Sequence, residues 1–162
     1  MREVTNPSEA ANALARGHLA ILPTETVYGL GADADNKVAV ARIFTVKSRP
    51  ANHPVIVHIS DQEQVSSWAA QIPEYAKDLA TAFWPGPMTL VFKRLPRAGD
   101  YLTGGQDTIA LRVPQHPVFR QVLVALAQEK NDPAAGIAAP SANRFGNVSP
   151  TSLAHAVEEL KD

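Results

Sequence analysis

In the segment KSRP (47–50) two cations stand two residues apart, just ahead of a proline. Pro50 disfavours the α region at Arg49, so this segment is expected to leave its helix near Lys47 and run extended. Side chains two apart on an extended chain point to one side. Lys47 and Arg49 then form one cationic pincer, exposed in a cleft and suited to a phosphate chain or a carboxylate. The competing reading is a solvated helix end whose cations answer the helix dipole. The same spacing recurs in APSAN (139–143), where Ser141 and Asn143 follow Pro140 directly after an apolar run. An extended chain would present their hydroxyl and amide together, whereas an ordinary turn is the alternative. A third stretch, PTETVYGLGADA (23–34), alternates Thr24 and Thr26 with Glu25 and places Tyr28 ahead of two glycines. Hydroxyls and a close-lying backbone suit a small polar ligand without needing net charge, although a plain strand-to-helix loop has the same composition.

Other chemistries find little support. GLGADA (29–34) fits G-x-G-x-x-G/A, but a dinucleotide-binding turn follows its strand directly and is answered by a carboxylate about 20 positions on. Here PTETVY intervenes, and positions 36 to 60 contain no Asp or Glu. His18, His53, His58, His116 and His155 give no helical i,i+4 pair of the kind that holds zinc. No G-x-S-x-G is present, and Ser141 follows a proline, which argues against a serine hydrolase.

The elements that must position these residues follow from periodicity and capping. Asn6 and Pro7 open a helix through NPSEAANALARG, stopped by Gly17, and HLAIL (18–22) reads as a buried strand. Asp35 or Asn36 can cap a helix through KVAVARIFTVK. PVIVHI (54–59), MTLVFKR (88–94), TIALRV (108–113) and GIAA (136–139) are strand-like. Helices are expected over DQEQVSSWAA, PEYAKDLATAFW, HPVFRQVLVALAQEK and TSLAHAVEELKD, the last capped by Thr151. The irregular alternation predicts an α/β (α+β) fold, a mixed sheet covered by helices in one domain over residues 1–162.

A length of 162 residues with 45% hydrophobic and 19% charged residues supplies a core and excludes a disordered or fibrous chain. Fifteen Lys+Arg against sixteen Asp+Glu leave a net charge of -1, so any anion site is local and strong general binding of nucleic acid is disfavoured. The sequence lacks cysteine, which removes thiolate chemistry and fits a reducing compartment, with cytoplasm the default. A run of about 18 apolar residues is absent, so no membrane association is expected.

Taken together, LPTETVYGLGADA, IFTVKSRP, HPVIVHI, FWPGPMTLVF, TIALRVPQHP and APSANRFGNVSPT resemble, in order, the motifs of the YrdC-like family of threonylcarbamoyl-AMP synthases. The resemblance runs from about Pro7 to Val157, and SANRFG with SPT is most similar to longer members that carry a second domain. It implies that the sheet is twisted and carries a concave ligand cleft, and it implies a reaction of L-threonine, bicarbonate and ATP that gives threonylcarbamoyl-AMP and pyrophosphate for N6-threonylcarbamoyladenosine in tRNA. The family's K-x-R and S-x-N map onto Lys47, Arg49, Ser141 and Asn143 as catalytic and nucleotide-binding residues, with Mg²⁺ carried by ATP and no metal held by the protein. Thr24, Tyr28, His58 and Arg112 are the candidates for the threonine end, Arg112 facing the carboxylate. The implied partners are tRNA-modification proteins that use the intermediate, with weak RNA binding besides. The resemblance also implies that the family's usual C-terminal segment is missing, leaving a cleft with inefficient ATP turnover. The alternatives are an RNA-binding module of the same fold without full catalysis, and a carbamoyl-transfer domain.

Overall fold

In the computed structural model, which describes residues 6–161, the apolar run before Pro23 becomes β1 (Ala20–Pro23) and turns back onto β2 (Tyr28–Asp33). With β3 (Ile56–His58), β4 (Leu90–Lys93), β5 (Thr108–Arg112) and β6 (Ile137–Ala138), they form one sheet in the order β1-β2-β6-β3-β5-β4. β3 and β5 pair in parallel, and the other pairings are antiparallel. The fold is therefore the expected mixed sheet of an α/β protein.

The helices are α1 (Pro7–Ala15), α2 (Lys37–Lys47), α3 (Val65–Trp68), α4 (Glu74–Phe83), α5 (Asp100–Thr103), α6 (Pro117–Lys130) and α7 (Leu153–Glu159). Asn6 and Asn36 cap α1 and α2 through their side-chain oxygens, which accept from Ser8 N at 2.9 Å and Ala39 N at 3.0 Å. At α7 the cap is Ser152 rather than Thr151, its hydroxyl accepting from His155 N at 3.3 Å. The single helix expected over DQEQVSSWAA is instead a 3₁₀ turn, Gln62–Gln64, followed by the short α3. Local side-chain bonds compete there: Asp61 accepts from Glu63 N, and Gln64 accepts from Ser60 N.

Alternation along the strands divides the interior in two. Leu30 and Ala32 of β2, Val57 of β3, Ile109 and Leu111 of β5 and Ala138 of β6 face one core with α2, α3 and α4. Leu22 and Ile137 face the other, where α1 packs on α6 through Leu14, Phe119, Val122 and Leu126. GLGADA is thus a strand and not a loop. A Cβ on Gly31 would stand 3.0 Å from Ile137 Cγ2 and 3.2 Å from Leu22 Cδ1. This glycine lets strand and side chains close up, and the expected approach of backbone to a ligand does not apply to it.

A charged lattice ties the chain together at the far end of β2. Arg97 binds Asp35 through both Nε and Nη2, at 2.9 and 2.8 Å, and also binds Asp132. Lys130 donates to Asp33 at 2.6 Å and to Asp35 at 2.8 Å. The Arg97 guanidinium also lies 4.5 Å over the Trp68 ring. Among the described residues no helix is long and apolar enough to cross a membrane.

Candidate functional site

Lys47 ends α2, yet it is only 2% exposed. Its ammonium donates to the main-chain carbonyl of Ser141 at 2.6 Å and to that of Asn143. The exposed, extended pincer predicted for KSRP is therefore corrected for this residue. Ser48 is left-handed, with φ 51°, and Arg49 N donates to Phe44 O at 2.9 Å, so the helix closes as a C-terminal αL cap before the chain turns away. Arg49 is half-buried, its Nη2 donates to Pro54 O at 2.8 Å, and its Nε is buried without a partner. Burial, and then the Arg49 charge, push the Lys47 ammonium down to about 8. Burial also lowers the pKa of the Arg49 guanidinium. Among the described residues neither cation is met by a carboxylate at ion-pair distance. A groove of about 570 Å³, lined by Phe44, Thr45, Ser48, Arg49, Ala51 and Tyr101 among others, opens beside Arg49.

The segment after β6 is sewn to the start of β2. Leu30 N donates to Pro140 O at 2.8 Å, Ala142 N to Tyr28 O at 2.7 Å and Tyr28 N to Pro150 O at 2.9 Å, with an isolated bridge between Gly29 and Ser141. Asn143 spends its amide nitrogen on its own loop, donating to Arg144 O and Asn147 O, each at 2.8 Å. Its Oδ1 is buried with no donor. Phe145 N in turn donates to Lys47 O at 2.8 Å, and Glu159 of α7 accepts from Arg144 N at 3.1 Å and Asn147 Nδ2 at 3.0 Å. Lys47, Ser141 and Asn143 are accordingly brought together, with Arg49 near enough for its charge to act on the Lys47 ammonium. Their meeting rests on the lysine's hydrogen bonds more than on two extended segments facing each other.

Of the other predicted residues, His58 and Arg112 stand at the ends of β3 and β5, and Thr24 and Tyr28 flank the turn between β1 and β2. His58 and Arg112 are register partners in the parallel pair. His58 is 2% exposed, packs at 4.9 Å on the Phe119 ring, and leaves Nδ1 without a partner. Burial, then the neighbouring Arg112 charge, push its pKa down to about 3, so the imidazole is neutral at physiological pH. Arg112 Nε donates to Gly86 O at 3.1 Å, in the turn after the cis Trp84–Pro85 bond. Its Nη2 lies 2.7 Å from Glu25 Oε1, an ion pair whose two atoms are out of line for a well-formed hydrogen bond. Thr24 Oγ1 donates to Val27 O at 2.6 Å and accepts from Thr26 N and Val27 N, both at 3.1 Å. Its hydroxyl staples the turn between β1 and β2 from which Glu25 projects. Tyr28 is partly buried against the α2 core.

Glu25 was not among the predicted site residues. The available signal is its isolation: no other carboxylate lies between Glu9 and Asp33. Burial alone would raise its pKa, but bonding to Arg112 and backbone amides outweighs that and holds the carboxyl below its ordinary value. Among the described residues no group of three or more His, Asp or Glu side chains could hold a metal.

Residues 12–162 match the sequence model of the Sua5/YciO/YrdC family, described as "Telomere recombination", and the chain belongs to that family. It is 47% identical over 151 residues to the threonylcarbamoyl-AMP synthase of Pyrococcus abyssi, covering 93% of this chain and 42% of the relative. To the threonylcarbamoyl-AMP synthase of Bacillus subtilis it is 43% identical over 154 residues, covering 94% of this chain and 42% of the relative. The crystal structure of P. abyssi Sua5 complexed with L-threonine superposes with a TM-score of 0.85 at 44% identity, covering 98% of this chain and 46% of that one. The chain thus spans under half the length of these relatives.

Proposed function

We propose that this chain is the catalytic domain of a threonylcarbamoyl-AMP synthase. It joins L-threonine, bicarbonate and ATP into threonylcarbamoyl-AMP and pyrophosphate, the intermediate being passed to tRNA-modification proteins in the cytoplasm. The observation that carries this reading is the meeting of Lys47 with Ser141 and Asn143, the Arg49 charge acting on the same ammonium, in a chain so similar to synthases of that name.

In the reaction, the threonine amine captures bicarbonate as a carbamate with loss of water. A carbamate oxygen then bonds to the α-phosphorus as the bond to pyrophosphate breaks. Such a displacement needs positioning and charge neutralisation more than a protein nucleophile. Among the described residues neither Lys47 nor Arg49 has a carboxylate at ion-pair distance, and Glu159 acts on the Lys47 charge only from farther off, so an incoming polyanion meets positive charge there. The free Asn143 Oδ1 and the Ser141 hydroxyl are the groups proposed to contact the nucleotide. Mg²⁺ would arrive on the phosphates, neutralising their charge.

Thr24, Tyr28, His58 and Arg112 are proposed for the amino-acid end. A histidine whose proton is lost above about pH 3 is a poor base at neutral pH, so His58 serves as a neutral hydrogen-bond partner. Arg112 already answers Glu25, and a substrate carboxylate would share its guanidinium. Calorimetric titration of the chain with L-threonine, L-serine and L-valine tests the reading. Saturable binding of L-threonine, weaker binding of the other two and enthalpic coupling to ATP are expected. No binding of L-threonine with or without ATP would overturn it.

A further inference from the structure

The Glu25–Arg112 pair has the features of a device that sets geometry. Both side chains are nearly buried, at 16% and 9% exposure, and they join elements far apart in the chain. Glu25 stands on the Thr24-stapled turn between β1 and β2, while Arg112 ends β5 and is anchored on its other side by Gly86 O. Opposite charges placed so deep cost desolvation, which a surface turn would not need for folding alone. The cluster is also incompletely satisfied: His58 Nδ1 is buried without a hydrogen-bond partner, and Glu25 and Arg112 meet as an ion pair without a well-aligned hydrogen bond between them. Orphaned buried atoms are uncommon in folded proteins, and together these groups offer one carboxylate, one guanidinium N–H and one neutral imidazole nitrogen to a small ligand bearing both donors and acceptors.

We propose that Glu25 is a positioning residue for substrate recognition: by pairing with Arg112 it fixes the guanidinium against β5 and draws the 24–27 turn beside His58, so that an α-amino acid meets a preformed set of groups. The inference rests on the reading of this end of the cleft as the threonine site. Glu25 need not touch the substrate. Its second effect is electrostatic. By neutralising Arg112 it leaves Lys47 and Arg49, which among the described residues have no carboxylate at ion-pair distance, to direct the polyanionic nucleotide to themselves and away from the amino-acid end.

Glu25→Gln keeps the shape of the side chain and removes its charge, and Glu25→Asp keeps the charge but shortens the reach. The test measures dissociation constants for L-threonine and for ATP separately, on the native chain and both variants, with thermal unfolding recorded alongside. Losing a charge-assisted contact predicts about tenfold or greater weakening for L-threonine in Glu25→Gln. The expected loss in Glu25→Asp is smaller, and ATP affinity stays within about twofold in both. If Glu25→Gln does not fold, the same split is read from Glu25→Asp. Unchanged L-threonine affinity, or equal weakening of both ligands with a lower unfolding temperature, overturns the positioning role. Absence of L-threonine binding by the native chain would instead overturn the functional reading beneath it.

Discussion

The Lys47 ammonium at the end of α2 lies 2.6 Å from the carbonyl oxygen of Ser141, 94 positions later in the chain. With its second bond to Asn143 O, it fastens the helix to the segment that follows β6. A single buried cation thus holds two halves of the site in contact.

Lys47→Met therefore carries two penalties. The buried Asn143 carbonyl and the partly buried Ser141 carbonyl lose their donor, which costs about 1–3 kcal/mol of stability for a buried group left unsatisfied and less for one that water can reach. ATP binding should weaken by about tenfold or more as the charge disappears. Denaturant unfolding and ATP titration of the variant check both. A fully stable variant would show that the two hydrogen bonds do not hold the site together.

Arg49 should act on pH dependence as well as affinity. Because Lys47 is pushed down to about 8, a site that needs its ammonium loses ATP affinity as pH rises through that value. The Arg49 charge contributes to the depression, so Arg49→Met raises the Lys47 pKa and moves the alkaline fall to higher pH, while weakening binding overall. ATP affinities measured from about pH 6 to 10 bracket the fall between the lowered and ordinary lysine values. An alkaline fall at the same pH in both proteins would separate Lys47 from nucleotide binding.

His58 should stay neutral through the range in which ordinary histidines titrate. Its native pKa of about 3 lies below the ordinary 6.5, so the unfolded state binds a proton that the folded state refuses. The stability this represents is fully present above about pH 6.5 and falls with acidification by up to about 1.4 kcal/mol per pH unit. His58→Gln should flatten that part of the stability profile. Nuclear magnetic resonance of the His58 ring checks the cause: titration near pH 6.5 would contradict its burial as a neutral group.

How much was legible in the sequence depends on how local the determining physics is. Asn6, Asn36 and the apolar runs of β1, β3 and β5 act within a few residues, and those elements stand where periodicity put them. The i,i+2 spacing points to Lys47, Arg49, Ser141 and Asn143; Lys47 meets Ser141 and Asn143, while the Arg49 side chain turns to Pro54 O. Its geometry was wrong for Lys47, because the left-handed turn at Ser48 and the carbonyls of a segment 94 residues away decide where that side chain goes. β2 was missed for a related reason: its glycines look like turn residues until Ile137 and Leu22 fill the space they leave. The Glu25–Arg112 pair and the Arg97 lattice are long-range choices of partner among many charges, which no local pattern encodes.

The proposed function makes these two clusters one catalytic site for L-threonine, bicarbonate and ATP. Pyrophosphate release from ATP, measured with all three substrates and with L-threonine or bicarbonate omitted in turn, tests it most directly. Release that requires every component, and falls at least tenfold in Lys47→Met, is the predicted result. Release that continues without L-threonine or without bicarbonate, or none with all three present, would contradict it.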